Sequence, residues 1–266
     1  MNKVSVAFVV FIFTVCDMAI GDSDKMAHMQ LQPLNTPPTL EIVSRLGYSL
    51  GYDKDKRQPL WVAYRMKKED LSNKYPRDDS AFRKDYAVSN SPDKYDYSGS
   101  GFDRGHMAPA NDMEYHYDRM IESFYMSNMS PQHPHINAGA WRSAEKFARD
   151  AARRFGEVYV VSGPIFAVNG GDFSEIPMPN EKEPIKAVGG DIPIPVSFYK
   201  VIYTKARGGL MIAFQIDNDE SLPGSYLQYA RSVRRMEFIT GLRFFPDVDP
   251  DEEEGLRDLD DVRAWF

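Results

Sequence analysis

The chain has 266 residues, of which 42% are hydrophobic and 27% are charged, and its formal net charge is -7. This composition is ordinary for a soluble globular protein with a sizeable core, and the length allows one large domain or two small ones. The negative charge excludes a uniformly basic surface that coats nucleic acid, although a local cleft can still carry the opposite charge.

The N-terminal residues predict a secretory signal peptide over residues 1–21. After Lys3, the stretch Val4–Val15 is uncharged, mostly apolar and too short to span a bilayer as a helix. A small-x-small pattern follows at residues 19–21, and Cys16 is the only cysteine. We therefore expect a secreted or periplasmic chain without disulfides, and no membrane association once the signal is removed. A mitochondrial presequence, a retained anchor and a buried first strand are the alternatives, and the lack of arginine disfavours the first.

The remainder of the chain shows no repeat and no long linker, which favours one domain over residues 41–246. Residues 22–40 are rich in proline and predict an extended leader. The proline-, glycine- and acid-rich segment Phe166–Pro195 predicts a long surface loop. Clusters of β-branched and aromatic residues predict five strands, the last two joined as a hairpin: Gly47–Tyr52, Leu60–Met66, Val158–Ser162, Val196–Thr204 and Leu210–Ile216.

Two helices are predicted from apolar residues that recur at spacings of three and four. The first runs from Trp141 to Phe155 and ends at Gly156, and it carries a basic stripe formed by Arg142, Lys146, Arg149 and Arg153. The second covers Ser225–Thr240, with Gly241 as its C-terminal cap. The acidic segment at residues 247–266 predicts a solvated tail, and the alternative is that it lies over a basic cleft.

The stretch GFDRGHMAPANDM, residues 101–113, contains His106, the candidate for acid–base chemistry. Its glycine and proline residues forbid regular helix and predict a stiff, irregular turn that aims the imidazole. Of the other histidines, His28 and His116 are expected to be exposed. His133 and His135 form a candidate zinc pair, but zinc sites use three or four ligands, and the mature sequence offers no cysteine or HExxH helix to complete one.

Asn137 and Glu145 lie near the start of the first predicted helix, about two turns apart and on the same side. Asn137 has two alternative roles, as a helix N-cap or as a direct metal ligand. As a ligand it would supply an amide oxygen while Glu145 holds metal-bound waters, an arrangement that suits Mg²⁺. A glutamate here is otherwise a solvated charge or an ion-pair partner of Arg142 or Arg149.

The motifs DRGHMAPANDM and SNMSPQ, followed by Asn137 and Glu145 at their spacing, resemble the DNA/RNA non-specific endonuclease family. The segment YDKDKRQPLWVAYRM is similar to an early strand of that family, so the resemblance extends from about Leu46 to about Phe245. It implies an α+β fold, with a largely antiparallel central sheet flanked by helices and a ββα-metal active-site motif. Some members have structural disulfides, whose cysteines the mature chain lacks.

The resemblance also implies a role for each candidate residue. His106 would be the general base, Asn137 the protein ligand of Mg²⁺, for which Mn²⁺ can substitute, and Glu145 the residue that fixes the ion's water shell. Arg104 would lie near the phosphate or the metal-bound waters, and Asn128 would orient His106 or its loop. An additional arginine of the family is Arg77 or Arg83, and phosphate contacts are expected from Arg142, Lys146, Arg149 and Arg153.

The implied activity is metal-dependent hydrolysis of phosphodiester bonds in single- and double-stranded DNA and RNA, leaving 5′-phosphate and 3′-hydroxyl ends. The expected partners are DNA, RNA and, as an open alternative, a second copy of the chain. Two other functions stay open, a catalytically silent nucleic-acid-binding protein and a metal-dependent phosphodiesterase for small substrates. A silent binder has no need of a base opposite a metal ligand, and a small-substrate enzyme needs an enclosed pocket.

Overall fold

The computed structural model describes residues 30–72, 74–77, 81–166, 187–219, 226–248 and 255–266. The predicted signal peptide (1–21), the first part of the predicted leader (22–29) and most of the predicted loop Phe166–Pro195 lie outside the described residues. Within the described ranges, no helix is both long enough and apolar enough to cross a membrane.

Antiparallel strands form the framework of the protein. In chain order, the strands of the described residues are β1 (Glu41–Ser44), β2 (Ser49–Asp53), β3 (Gln58–Lys67), β4 (Asp103–His106), β5 (Met129–Gln132), β6 (Glu157–Ile165), β7 (Ala187–Val188), β8 (Ile192–Pro193), β9 (Ser197–Thr204), β10 (Leu210–Asp217) and β11 (Ala230–Arg231). One seven-stranded antiparallel sheet has the order β1-β2-β3-β6-β9-β10-β11, and β4-β5 and β7-β8 form separate ribbons. The five predicted strands occur with ends shifted by a few residues, and the predicted α+β class is confirmed.

The central strands are buried on both faces, which gives the sheet two hydrophobic cores. Because side chains alternate along a strand, Val62 and Tyr64 of β3 enter one core, whereas Trp61 enters the other. The first core is covered by the helix Arg142–Phe155, called the site helix below, and the second by the helix Val233–Thr240. The site helix is thereby fixed on one face of the sheet.

The site helix confirms the first predicted helix. Gly156 ends it with a φ of 91°, a backbone conformation that glycine adopts without strain. The turn before it, Asn137–Trp141, is π-helical and is kinked at Gly139, so Asn137 and Glu145 are not joined by the continuous α-helix that the sequence predicts. The buried apolar stripe packs against the sheet and includes Ala144, Phe147, Ala148 and Ala151.

The second predicted helix is shorter than expected, because the structure forms an α-helix only at Val233–Thr240. The Ser232 side chain accepts a hydrogen bond from the Arg235 backbone nitrogen and caps the helix at this point. The preceding β11 pairs with β10, so ladder hydrogen bonds replace the helical ones that the periodicity predicts. The predicted cap at Gly241 is confirmed by its left-handed conformation, and the predicted start at Ser225 lies outside the described residues.

The described part of the acidic C-terminal segment, residues 255–266, packs onto the protein. Trp265 is 3% exposed, and its ring centroid lies 5.4 Å from that of Phe147 and 5.8 Å from that of Phe155, both on the site helix. Arg257 is buried and pairs with Glu237. The prediction of a solvated tail is therefore wrong for these residues, because burial of apolar rings holds them in place.

The later part of the predicted leader also contacts the sheet. Leu31 and Leu40 are buried in the second core. The backbones of Leu34 and Arg243 exchange hydrogen bonds of 2.9 and 3.0 Å. Residues 30–40 are thus integrated into the folded unit, in contrast to a free extended leader.

Candidate active site

A cleft of about 530 Å³ is lined by residues of β4, of the π-helical turn and of the site helix. It brings together His106, Asn137 and Glu145, the three residues that the sequence analysis places in one site. Its other lining residues are Arg77, Phe82, Asp103, Arg104, Pro109, Ala110, Asn111, Ala138 and Arg142. The C-terminal segment 255–266 contributes none of these residues, so the alternative of an acidic tail over the cleft is wrong for its described part.

His106 is the last residue of the strand β4. The irregular turn predicted around it is therefore wrong for residues 103–106. β4 pairs antiparallel with β5, and a short helix at Ala110–Met113 begins only after the loop that follows His106. Gly105 permits the pairing, because a Cβ at this position would lie 2.5 Å from the Cβ of Gln132. The hydrogen-bonded ribbon therefore fixes the backbone of His106.

The imidazole of His106 contacts two aromatic rings and lies near two arginines. Its ring centroid is 5.6 Å from that of Phe82 and 5.1 Å from that of Phe124, and the residue is 9% exposed. Nε2 is buried and has no hydrogen-bond partner among the described residues. Burial, together with the positive charges of Arg77 and Arg104, lowers the pKa of His106 from 6.5 to about 3. The imidazole is therefore neutral near pH 7 and able to accept a proton.

Two side chains hold the backbone around His106. The buried amide of Asn128 accepts a hydrogen bond from the Ala108 nitrogen at 2.9 Å and donates one to the Ala108 oxygen at 2.8 Å. The Trp141 Nε1 donates to the His106 backbone oxygen at 3.2 Å. Asn128 thus fixes the loop after His106, the position that its predicted orienting role requires. Trp141 connects β4 to the start of the site helix.

The lowered pKa of His106 predicts a pH-dependent stability. Between about pH 6.5 and pH 3 the unfolded state binds more protons than the folded state, so the stabilisation is present above pH 6.5 and is lost as the pH falls. We expect His106 to lower the free energy of unfolding by about 2 kcal/mol between about pH 7 and about pH 5. Urea unfolding at these two pH values should show a smaller drop in the free energy of unfolding for His106→Gln than for the unsubstituted protein. His135→Gln, at an exposed position, should show the same drop as the unsubstituted protein. An unchanged drop in His106→Gln would contradict the prediction.

Asn137 belongs to the cleft, and the N-cap alternative is wrong. Its Nδ2 donates to Asp103 Oδ2 at 2.8 Å, and no side chain caps the π-helical turn that it begins. The carboxylate of Asp103 therefore sets which edge of the amide faces β4. With the nitrogen held in this way, the amide oxygen is the acceptor that remains for a ligand.

Glu145 lines the cleft on one side and approaches a buried lysine on the other. Glu145 is 8% exposed and Lys200 of β9 is fully buried. The Lys200 Nζ donates to Ser162 Oγ at 2.7 Å and lies 4.4 Å from the centroid of the Trp141 ring. Burial raises the pKa of Glu145 and lowers that of Lys200, and the opposite charge of the partner counteracts each shift. Each charge therefore stabilises the other beneath the cleft.

The donor atoms of the cleft fit a hard divalent cation that keeps most of its waters. The described residues contain no group of three or more His, Cys, Asp or Glu side chains that could enclose an ion. An amide oxygen from Asn137 and the carboxylate of Glu145 instead match the few protein ligands that Mg²⁺ accepts. The alternative of a zinc pair lacks support, because His133 caps the helix Pro134–Ile136 by accepting a hydrogen bond from the His135 nitrogen at 3.3 Å.

Three arginines line the cleft: Arg77, Arg104 and Arg142. The guanidinium of Arg104 lies 4.3 Å from the centroid of the Phe82 ring, and that of Arg77 lies 5.5 Å from the centroid of Phe124. Both arginines therefore contact the rings that enclose His106, and their charges face the same opening.

Arg83 is the other candidate for the additional arginine, and it lies outside the cleft lining. Its guanidinium is 4.5 Å from the centroid of the Tyr125 ring and donates to the Ile121 oxygen at 3.1 Å. Its backbone also pairs with that of Tyr125 as an isolated bridge. Between the two candidates, the geometry favours Arg77.

Arg149 points into the protein, which contradicts the predicted phosphate contact. Its side chain is 11% exposed and pairs with the fully buried carboxylate of Asp112 at 2.6 Å. Asp112 also accepts a hydrogen bond from the Tyr64 hydroxyl at 2.8 Å. A buried carboxylate needs such partners, so this arginine is required by the interior and not by a surface ligand.

The remaining basic residues of the stripe differ in position. Lys146 and Arg153 are exposed and both pair with Asp150, at 2.5 and 2.9 Å. Neither lines the cleft, whereas Arg142 does. Of the predicted basic stripe, only Arg142 is placed at the candidate site.

Several residues of the site have no role assigned from the sequence: Phe82, Asp103, Phe124 and Lys200. Lys200 does leave a signal, because it is the one charged residue of the strand SFYKVIYT, on the face where Phe198 and Ile202 are buried. A lysine at such a position indicates a buried charge with a partner. Phe82 and Phe124 leave no comparable signal, since aromatic residues are common in any core.

Comparison with known proteins places the chain among nucleases. Residues 30–251 match the model of a family described as DNA/RNA non-specific endonuclease. The chain is 35% identical over 233 residues to the mitochondrial nuclease EXOG of Xenopus laevis, a match that covers 82% of this chain but 61% of that relative's length. It is 30% identical over 230 residues to the mitochondrial endonuclease G of Homo sapiens, covering 82% of this chain and 74% of the relative.

The fold is similar to a solved structure as well. A chain in the crystal structure of the EndoG/EndoGI complex superposes with a TM-score of 0.68 at 27% identity, covering 79% of this chain and 88% of that chain. The family match at residues 30–251 includes every residue that lines the cleft. The chain belongs to the DNA/RNA non-specific endonuclease family.

Proposed function

We propose that the protein is a sugar-non-specific endonuclease that hydrolyses phosphodiester bonds in DNA and RNA with the aid of a divalent cation, Mg²⁺ in the first place and Mn²⁺ as a substitute. One observation carries the proposal. A neutral His106 with an unpartnered Nε2 opens onto the same cleft as the amide of Asn137 and the carboxylate of Glu145. A base in the same cleft as an oxygen-donor pair is what hydrolysis of an anionic diester requires.

In the proposed mechanism, His106 takes a proton from the attacking water. Burial and the charges of Arg77 and Arg104 lower its pKa and make it a weak base in the free protein, and an anionic phosphate beside the two arginines would counteract their part of this shift. Asn137 would hold the cation directly and Glu145 through water. The cation, when bound, supplies charge stabilisation at the scissile phosphate and the leaving 3′-oxygen. The leaving 3′-oxygen would take a proton from solvent water, so the products would carry 5′-phosphate and 3′-hydroxyl ends.

The lack of sequence preference follows from the groups that meet the substrate. Arg77, Arg104 and Arg142 offer guanidinium groups to phosphates, and phosphate contacts carry affinity without sequence information. An open cleft of this kind suits a polymer better than the enclosed pocket that a small-substrate phosphodiesterase needs. A silent binding protein has no use for a neutral His106 in the same cleft as Asn137.

The proposed function is tested by incubating the purified protein with supercoiled plasmid and, separately, with RNA. With Mg²⁺ we expect nicked and then linear plasmid and degraded RNA, and with EDTA we expect neither. Mn²⁺ should restore both reactions after EDTA treatment. Intact plasmid and RNA in the presence of Mg²⁺ and Mn²⁺, with the protein bound to them, would instead favour the silent binder.

We further propose that the chain is exported by its N-terminal residues, ahead of a folded nuclease unit that includes residues 30–40. The stretch Val4–Val15 predicts secretion or periplasmic export, whereas the two relatives described above are named as mitochondrial. A fluorescent protein fused after residues 1–40 distinguishes the secretory route from the mitochondrial one by its location in cells. Light scattering of the purified protein tests for a homodimer.

A further inference from the structure

Two half-exposed tyrosines, Tyr75 and Tyr117, lie near the cleft residue Arg77. Tyr75 is 47% exposed and Tyr117 is 53% exposed, and their ring centroids are 6.1 Å apart at an interplanar angle of 68°. Tyr75 precedes Arg77 by two residues, so their Cα atoms are at most about 7 Å apart. Tyr117 begins the helix Tyr117–Glu122, which follows the helix Ala110–Met113 at the cleft wall. The pair therefore lies near the part of the cleft that Arg77 and Ala110 line.

The pair is held in place although its rings face solvent. The Tyr75 backbone nitrogen donates to the Glu114 oxygen at 2.7 Å, and the neighbouring Lys74 pairs with the Glu114 carboxylate at 3.3 Å. These contacts join the segment before Arg77 to the segment that carries Tyr117. Leaving two aromatic rings half exposed forfeits part of the free energy that their burial would yield. A fixed, exposed aromatic pair beside a cationic cleft is suited to binding a flat, uncharged ring system.

We propose that Tyr75 and Tyr117 form a stacking site for an unpaired nucleobase of the strand whose phosphate lies at Arg77. Stacking on aromatic side chains is the usual way in which proteins bind single strands without reading their sequence, since every base has a π face. Bases within a duplex already stack on each other and cannot reach these rings. The site therefore favours single-stranded DNA and RNA over duplex DNA, and this preference rests on the proposed function of the cleft.

Binding is measured in the His106→Ala background, so that substrate is not consumed, by fluorescence anisotropy with a short labelled single strand and the matching duplex in Mg²⁺. We expect Tyr75→Ala to raise the Kd for the single strand by about 5-fold or more, the loss typical of one stacked base, and the Kd for the duplex by less than about 2-fold. Tyr75→Phe should keep the affinity because the ring remains. Tyr95→Ala is the matched control, since Tyr95 is 71% exposed and is not part of the Tyr75–Tyr117 ring pair.

The salt dependence separates stacking from charge. Tyr75→Ala should leave the slope of log Kd against log salt unchanged, whereas Arg77→Ala should flatten it by about 0.7 for a single strand. Equal losses for single strand and duplex, or the same loss in Tyr95→Ala, would overturn the stacking site. Plasmid cleavage by the unsubstituted protein is measured in parallel. If that cleavage fails while the single-strand loss is seen, the proposed function falls and the binding site stands.

Discussion

Replacing Asn137 with alanine is expected to lower metal-dependent cleavage by about 1000-fold, equivalent to about 4 kcal/mol of transition-state stabilisation. The physical reason is the loss of the proposed direct protein ligand, because the amide oxygen is the acceptor left once Asp103 has taken the amide nitrogen. Folding should change little. The lost hydrogen bond to Asp103 contributes about 1 kcal/mol, and no helix loses a cap.

Two measurements separate these effects. Calorimetric titration with Mg²⁺ should detect weakened binding in Asn137→Ala, and thermal unfolding without metal should show a melting temperature close to that of the unsubstituted protein. Asn111→Ala removes another amide from the same cleft and serves as the control, with most of the activity retained. Full cleavage by a folded Asn137→Ala protein would remove this residue from the metal site.

Replacing His106 with alanine should lower kcat by about 100-fold or more, since a positioned general base typically contributes that much. The affinity for nucleic acid should stay within about 2-fold, because the groups proposed to bind phosphate are the cleft arginines, which the substitution leaves in place. Single-turnover cleavage of plasmid at saturating Mg²⁺ measures the first effect, and anisotropy measures the second.

The hydrophobic surrounding of His106 offers a more direct test of its role as a base. The alanine variant leaves a space between Phe82 and Phe124 that imidazole, added to the buffer, has the shape to occupy. Partial recovery of cleavage with imidazole is therefore expected for His106→Ala. His116→Ala, which lies outside the cleft lining, should neither lose activity nor respond to imidazole. Activity of His106→Ala equal to that of the unsubstituted protein would rule out the proposed base.

The parts of the fold that follow local rules could be predicted from the sequence. Strands β9 and β10 are indicated by β-branched and aromatic residues around a glycine-containing turn. The site helix is indicated by its apolar and basic stripes and by Gly156. His106, Asn137 and Glu145 share one cleft because β4, the π-helical turn and the site helix, which carry them, meet there. Before Val233 the periodicity of the second predicted helix is misleading, since Ala230 and Arg231 pair with β10 instead.

The interior of the site could not be predicted, because its contacts join residues that are distant along the chain. The basic stripe predicts that Arg149 lies on a polar face of the site helix. Only the assembled fold brings the buried Asp112 against it. In the same way, Lys200 reaches the neighbourhood of Glu145 from a strand more than 50 residues away. Phe82 and Phe124 shape the pKa of His106 by burying it, and burial is a property of the assembled structure.

The three arginines of the cleft have a consequence for the cell that makes this protein. In the proposed function these arginines bind phosphate groups, which every nucleic acid carries, so their contacts do not distinguish the cell's own genome or transcripts from foreign ones. Self-protection then has to come from the surroundings of the enzyme: the compartment that confines it, the supply of divalent cation, or another protein placed over the opening. The similar chain in the EndoG/EndoGI complex belongs to a structure concerned with EndoG inhibition.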